Sequence, residues 1–306
     1  MSHLFRRAAL LVVPLTAFAT AACDEVADAT AQDYVIAPAP EGVTHYVRYE
    51  VGGDTSYGVL DGETVRELEG PPFDNPPETG RTHDLAEVRL LAPVEPRVVL
   101  AVGFNYESHL GTLDQEEIPE VPELFAKLPT SVVGPGDPII MYPDSEDLHF
   151  ETELVVVIGR HTANVSVEQA RDHIFGVTAG NDVSERSWQV NDLQWLRAKA
   201  SDSFGPIGPV VARGLDYDNI MLEGRLNGEV MQRESSSDLV RDLPTLVSHI
   251  SQWVTLGPGD IIFTGTPGET SAMQVGDVFE VDIEGIGVLR NPVVAEEDLS
   301  RTSPGD

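Results

Sequence analysis

Leu154 to Ile158, "LVVVI", is a run of branched apolar residues closed by Gly159. Such a run fits a strand buried on both faces, because a helix needs an apolar stripe at 3.6-residue spacing and a half-exposed strand alternates. Glu151, Thr152 and Glu153 stand immediately before it, in "LHFETELVVVIGR". Strand side chains change face at every residue, so the two glutamates share one face and Thr152 takes the other. At about 3.3 Å of rise per residue their stems lie roughly 6 to 7 Å apart, close enough for the oxygens to converge on one positive partner. The plain alternative is a solvated strand edge with both carboxylates in water.

The rest of the chain repeats the strand signal. From Thr44 to about Leu91, short strand-like runs alternate with turns, in "HYVRYEVGG", "YGVLDGETVREL", the Pro-rich "GPPFDNPPETG" and "VRLLAPV". "APVEPRVVLAVGFNY" then leads past two prolines into a larger unit through a strand over Val98 to Val102. A Gly-Asp turn precedes an apolar or alternating run three times, in "GPGDPIIMY", "GPGDIIFTG" and "VGDVFEVDI". Helical patterns are few: Ser166 to His173 with Ser166 as cap, Asp182 to about Trp195, and Leu243 to about Trp253. Many short strands with few helices predict an α+β fold built on an antiparallel or mixed sheet.

Composition bounds the partners. The 306 residues carry 51 acids against 19 bases, a formal charge of -32, which excludes nucleic acid and anionic lipid as binding surfaces. Such charge suits a salty medium, where counterions screen self-repulsion within about 8 Å. The start of the chain predicts export: "MSHLFRR" is a basic leader, "AALLVVPLTAFA" an apolar stretch too short to span a membrane, and "TAAC" places small residues before Cys23. Cys23 is the only cysteine, so no intramolecular disulfide exists and the residue is a lipidation candidate. The pattern is similar to a bacterial lipoprotein signal, with Thr20 where leucine is usual; ordinary cleavage after Ala21 or Ala22 is the other expectation. Export places the protein in the periplasm or cell envelope, with membrane contact only through that lipid, or free after ordinary cleavage. The expected organisation is a signal peptide over 1–22, a flexible acidic tether over 23–42, a small β-rich domain over 43–95, a catalytic domain over 96–296, and a disordered tail over 297–306.

A third carboxylate appears in "IFGVTAGNDVSERSWQ", where an apolar strand runs into Asn181 and Asp182. Asp182 alone reads as a helix N-cap. Combined with Glu151 and Glu153 it completes an all-oxygen site suited to Mg²⁺ or Mn²⁺, with Ca²⁺ as a further candidate.

"VGFNYESH", "LFAKLPTSVVGPGDPI", "LHFETELVVVIGR", "FGVTAGNDVSERSWQ", "KASDSFGPIGP", "LNGEVMQ", "GPGDIIFTGTP" and "GIGVLRNPV" occur in this order over roughly Val43 to Val294. In these motifs the chain resembles the fumarylacetoacetate hydrolase family. The resemblance implies a C-terminal mixed β-roll with a divalent metal at its mouth, a homodimer, and cleavage, decarboxylation or isomerisation of 2-oxo acids and β-dicarbonyls. It implies that Glu151, Glu153 and Asp182 bind the metal, that His109 activates water, and that Lys199 is catalytic beside the metal. It places Lys127, Arg186, Gln189 and Thr266 at the substrate. In two places the sequence departs from the pattern: Thr112 stands where a glutamate partners the histidine, leaving Glu107, Glu116 or Glu117 as substitutes, and Glu269 and Thr270 replace a small-residue turn after "TGTP".

The expected function is metal-dependent hydrolytic C–C cleavage of an acylpyruvate-like acid. A metal would act as Lewis acid on two chelating substrate oxygens while His109, with an ordinary pKa near 6.5, takes a proton. Decarboxylation or enol–keto isomerisation at the same site is the near alternative, and Thr112 favours isomerisation. An exported binding protein that keeps the metal site without turnover is the alternative of another class.

Overall fold

The computed structural model describes residues 34–110 and 119–299. The export signal, Cys23 and the tether up to residue 33 lie outside the described residues, as do Thr112, Glu116, Glu117 and the tail from residue 300.

The described chain begins with β1 (Tyr34–Ile36), paired antiparallel with the last strand, Gly287–Ala295. The expected tether to residue 42 is therefore interrupted by a strand: Tyr34 and Ile36 pack on the core while Val35 faces out. Three alternating residues among alanines, prolines and acids are too few to stand out in sequence. A meander follows, β2 (Thr44–Val51), β3 (Asp54–Asp61), β4 (Thr64–Leu68), β5 (Glu78–Asp84) and β6 (Arg89–Leu90). Next come β7 (Val99–Gly103), helix α1 (Glu107–Leu110), β8 (Glu123–Lys127), β9 (Val132–Val133), β10 (Ile139–Met141), β11 (Leu148–His149) and β12 (Thr152–Ile158). The middle of the chain forms α2 (Val167–Ala170), β13 (Ile174–Asn181), β14 (Ser184–Glu185), α3 (Arg186–Asn191), α4 (Leu196–Ala200) and β15 (Gly205–Arg213). It closes with β16 (Met221–Leu226), β17 (Glu229–Ser235), α5 (Leu243–Ser251), β18 (Ile261–Phe263), β19 (Val278–Ile283), β20 (Gly287–Ala295) and α6 (Glu296–Leu299), the last turning the first residues of the expected tail into helix.

Two sheets carry the fold, an α+β arrangement with few helices and a β-rich start. The larger runs β5-β4-β3-β2-β15-β13-β12-β18-β7-β8, with β6 on β2 and β9 on β15. It is mixed, because β18 lies parallel to β7 and β9 parallel to β15. The smaller runs β1-β20-β19-β16-β17, with β10 parallel to β20. Strand β2 pairs with β15, so the meander continues the larger sheet.

Strand β12 is buried along its whole length. Leu154, Val156 and Ile158 join a core shared by both sheets, while Val155 and Val157 join a second core with Val99, Ala101, Ile261 and Phe263. Each such side chain contributes about 1.5–3 kcal/mol by burial. A one-residue slip would exchange the two faces and carry the flanking glutamates with them, so the register is strongly fixed. Phe150 stacks on Phe279 at 4.3 Å and ties the start of β12 to β19.

The three Gly-Asp turns share one device. Asp137, Asp260 and Asp277 each accept a hydrogen bond from the backbone N–H three residues earlier, at 2.8, 2.6 and 2.7 Å. Ser166 caps α2 as expected, and Gln169 reciprocates to complete a capping box. The helix expected from Asp182 is broken into β14, α3 and α4, and its cap is Glu185, whose carboxylate accepts from Trp188 N–H.

Candidate active site

The register of β12 on β13 builds the site. Thr152 pairs with Asn181 and Glu153 with Gly180. One step beyond the ladder, Asp182 N–H donates to the Glu151 carbonyl at 3.0 Å, and Glu151 N–H donates to Asn181 Oδ1 at 2.9 Å. Glu151 and Asp182 thus face each other across adjacent strands. Thr152 turns to the opposite face, against Gly224 of β16. The carboxylates of Glu151, Glu153 and Asp182 are buried and offer oxygens within 4.8 Å of one another.

Cationic side chains meet two of these carboxylates. Lys199, on α4, donates to Asp182 Oδ2 at 2.8 Å and to Glu151 Oε2 at 3.0 Å. Arg186, the first residue of α3, donates through Nη2 to Glu151 Oε1 at 2.6 Å. Burial works against the charge on Glu151, but Lys199 and Arg186 outweigh it and hold the carboxyl below the ordinary range. Burial also opposes the charge on Lys199, yet Asp182 and Glu151 raise its pKa. Lys127, at the end of β8, is fully enclosed, bonded to Asp182 Oδ1 at 2.5 Å and to the Lys199 carbonyl; burial lowers its pKa despite Asp182. Expected at the substrate, Lys127 lies beneath the carboxylates and is not among the residues lining the cavity.

Glu153 is different. Among the described residues its one hydrogen bond comes from Gly265 N–H at 2.7 Å, and no ammonium or guanidinium pairs with it. Burial, then the charges of Asp182 and Glu151, push its pKa well above the ordinary value. A buried carboxylate without a cation, set against two others, fits a hard divalent ion of the Mg²⁺ or Mn²⁺ kind in chemistry as well as in spacing. The donor from Gly265 depends on glycine: φ is +105°, and a Cβ there would sit 2.9 Å from that of Asn105.

A cavity of about 60 Å³ opens over this cluster, lined by His109, Glu151, Arg186, Gln189, Lys199 and Thr266, with Phe104, Phe125 and Trp195 as apolar wall. His109, on α1, bonds through Nδ1 to the Gly268 carbonyl at 2.6 Å. A carbonyl only accepts, so Nδ1 carries a proton, and among the described residues nothing bonds to Nε2. The Gly268 loop is itself held, its N–H donating to Ser108 Oγ at 2.9 Å and Ser108 donating to Glu234 at 2.5 Å. Glu107 makes no hydrogen bond to His109, and Glu116 and Glu117 lie outside the described residues. Gln189 accepts from Arg186 at 2.8 Å, and Thr266 accepts from Gln232 at 3.0 Å.

The structure therefore gathers Glu151, Glu153, Asp182, His109, Lys199, Arg186, Gln189 and Thr266 in one place. It adds two residues with no role in the motif pattern. Arg186 Nη2 also donates to Thr270 Oγ1 at 3.0 Å, and Thr270 meets His149 Nδ1 at 2.7 Å. Thr270 was visible as a departure after "TGTP", while His149 carried no signal.

Comparison with known proteins agrees with this geometry. Residues 98–294 match the description "Fumarylacetoacetate (FAA) hydrolase C-terminal", and residues 44–93 match "Rv2993c-like, N-terminal". The chain is 42% identical over 249 residues to Protein Rv2993c of Mycobacterium tuberculosis, covering 78% of this chain and 94% of that protein. It is 39% identical over 222 residues to the mitochondrial oxaloacetate tautomerase FAHD2A of Bos taurus, covering 68% and 70%. Among solved structures, a 5-carboxymethyl-2-hydroxymuconate delta-isomerase from Mycobacterium smegmatis is similar with TM-score 0.77 and 40% identity, over 82% of this chain and 100% of that one. A maleylpyruvate hydrolase from Sphingobium sp. SYK-6, in complex with manganese(II) and pyruvate, is similar with TM-score 0.69 and 25% identity, over 82% and 99%. With a match over most of its length and relatives at this identity, the chain belongs to the fumarylacetoacetate hydrolase family, whose members are enzymes.

Proposed function

We propose that this chain moves a proton on a 2-oxo or β-dicarbonyl acid, interconverting its enol and keto forms with a divalent metal as cofactor. The observation that carries this reading is His109, held through Nδ1 with no described residue bonded to Nε2, in the same small cavity as Glu151 and Lys199. A histidine ring nitrogen facing the cavity can take a proton from, and return it to, a carbon between two carbonyls. Glu151, Glu153 and Asp182 would hold Mg²⁺ or Mn²⁺, which would supply Lewis-acid polarisation of the substrate oxygens. Arg186 and Gln189 orient an anionic substrate, Lys199 bridges Glu151 and Asp182 and holds Glu151 ionised, and the wall of Phe104, Phe125 and Trp195 limits water. A tautomerase and an isomerase among similar proteins support the choice.

Hydrolytic C–C cleavage, the first expectation from sequence, becomes the second reading. It is favoured by the same His109 Nε2, which can take a proton from water, and by the maleylpyruvate hydrolase among the similar structures. It falls behind because, among the described residues, His109 is held by the Gly268 carbonyl and by no carboxylate that would complete a water-activating pair. The test is purified protein with Mg²⁺ and freshly dissolved oxaloacetate, following ultraviolet loss of the enol, beside an acylpyruvate assayed for released pyruvate. Accelerated enol loss without pyruvate release supports the proposal; pyruvate release from the acylpyruvate supports the second reading; tight binding with no turnover of either sinks both in favour of a binding protein.

Phe104, Val190, Leu193 and Leu196 expose apolar surface around the cavity mouth, which supports a homodimer, to be checked by light scattering in solution. Export and lipidation at Cys23 rest on the sequence pattern, and mass spectrometry of the mature N-terminus reads them directly.

A further inference from the structure

Arg186 does not hang free in the cavity wall. Its Nη1 donates to Gln189 at 2.8 Å, and its Nη2 donates to Glu151 at 2.6 Å and to Thr270 Oγ1 at 3.0 Å. Arginine only donates, so Thr270 Oγ1 accepts there and its own hydrogen is free for another partner. That partner is His149 Nδ1 at 2.7 Å, and His149 Nε2 lies 2.9 Å from Asp147 Oδ1. With Nδ1 accepting, Nε2 bears the proton and donates to the carboxylate, which can only accept. Every bond then runs in one direction, from Arg186 through Thr270 and His149 to Asp147.

The chain of bonds joins three separate segments: Asp147 with β11, the start of α3 and the turn after "TGTP". Its cavity end is the guanidinium, a side chain 20% exposed, whereas Lys199 is 3% exposed and engaged by two carboxylates. Three of the five guanidinium donors are taken, leaving Nε–H and one Nη1–H for a ligand. A long side chain held at one end only would lose several rotamers on binding; one already held by Thr270 loses fewer.

We propose that Thr270, backed by His149 and Asp147, is a positioning residue that sets the Arg186 guanidinium for the carboxylate of the substrate. The substrate class rests on the function proposed above; the positioning does not. The consequence is a binding effect transmitted through Arg186, distinct from proton transfer at His109.

The experiment uses the full chain loaded with Mg²⁺, with malonate as a carboxylate probe in calorimetry and oxaloacetate in steady-state kinetics. Thr270→Val keeps the shape and removes the hydroxyl, Thr270→Ser restores it, and Arg186→Lys provides the background for a double-mutant cycle. The expected result is malonate binding weakened about tenfold in Thr270→Val, the scale of one lost hydrogen bond to a charged group. KM for oxaloacetate rises in parallel with kcat within about twofold, Thr270→Ser stays near the parent, and Thr270→Val adds nothing once Arg186 is lysine. If the parent binds malonate and loses it as described while oxaloacetate is not turned over, the proposed function fails and the positioning role stands. Parent protein that binds no malonate, Thr270→Val that binds it as the parent does, or an effect that persists with Arg186→Lys, overturns the inference.

Discussion

A buried carboxylate costs several kcal/mol unless a cation meets it, and Glu153 has only the Gly265 N–H. Glu153→Gln is therefore expected to raise the melting temperature of the metal-free protein at neutral pH while weakening Mg²⁺ binding, which differential scanning calorimetry with and without Mg²⁺ reads together. His109→Ala is expected to lose roughly 10²–10⁴-fold in kcat with Mg²⁺ affinity unchanged, because the ring is a general base and not a ligand. Retained activity in that variant would remove His109 from its role. The pairing of Glu151 with Glu153 was legible from period-two alternation alone. The approach of Asp182 depends on the register of Thr152 against Asn181, a long-range fact that residue type and position at a strand end suggest but do not fix. The Lys127 motif carries no sign of depth, and β8 sends the side chain under Asp182.

Helix α3 shows how an element carries the site. Glu185 caps it, accepting from Ser187 Oγ and from the N–H groups of Trp188, Asp147 and Glu146, at 2.7, 2.8, 2.6 and 3.1 Å. Burial opposes its charge, but these bonds prevail and lower its pKa. A carboxyl lowered on folding stabilises the protein above its unfolded pKa, about 4.3, and the contribution fades as pH falls through the lower folded value. Glu185→Gln is expected to destabilise by about 1–3 kcal/mol at pH 7, with the difference from the parent shrinking below about pH 4 in urea titrations. Gly265→Ala is expected to cost stability and Mg²⁺ affinity together, because the positive φ and the close Asn105 force the N–H off Glu153. Strands were the legible elements: β12 and the three Gly-Asp turns follow from local pattern and side-chain chemistry. The stretch from Asp182 to Trp195 read as one helix, yet Ser184 and Glu185 are drawn into a ladder with β11, a tertiary pairing that overrides local propensity.

The molecule carries a formal charge of -32, and self-repulsion at that level opposes the compact state. Its melting temperature is expected to climb between about 0.05 and 1 M KCl, as the Debye length falls to about 3 Å; a flat response would show that the acids repel little. Two sheets sharing one core, with the acidic cluster on the face of the larger sheet turned away from the smaller, explain how so acidic a chain concentrates three carboxylates and still folds. The most direct test is the metal stoichiometry of purified protein followed through chelation and repletion, with enol–keto turnover of oxaloacetate measured at each step. One divalent ion per chain, lost together with turnover and regained together with it, is the predicted result. Full turnover in protein stripped of metal would contradict it.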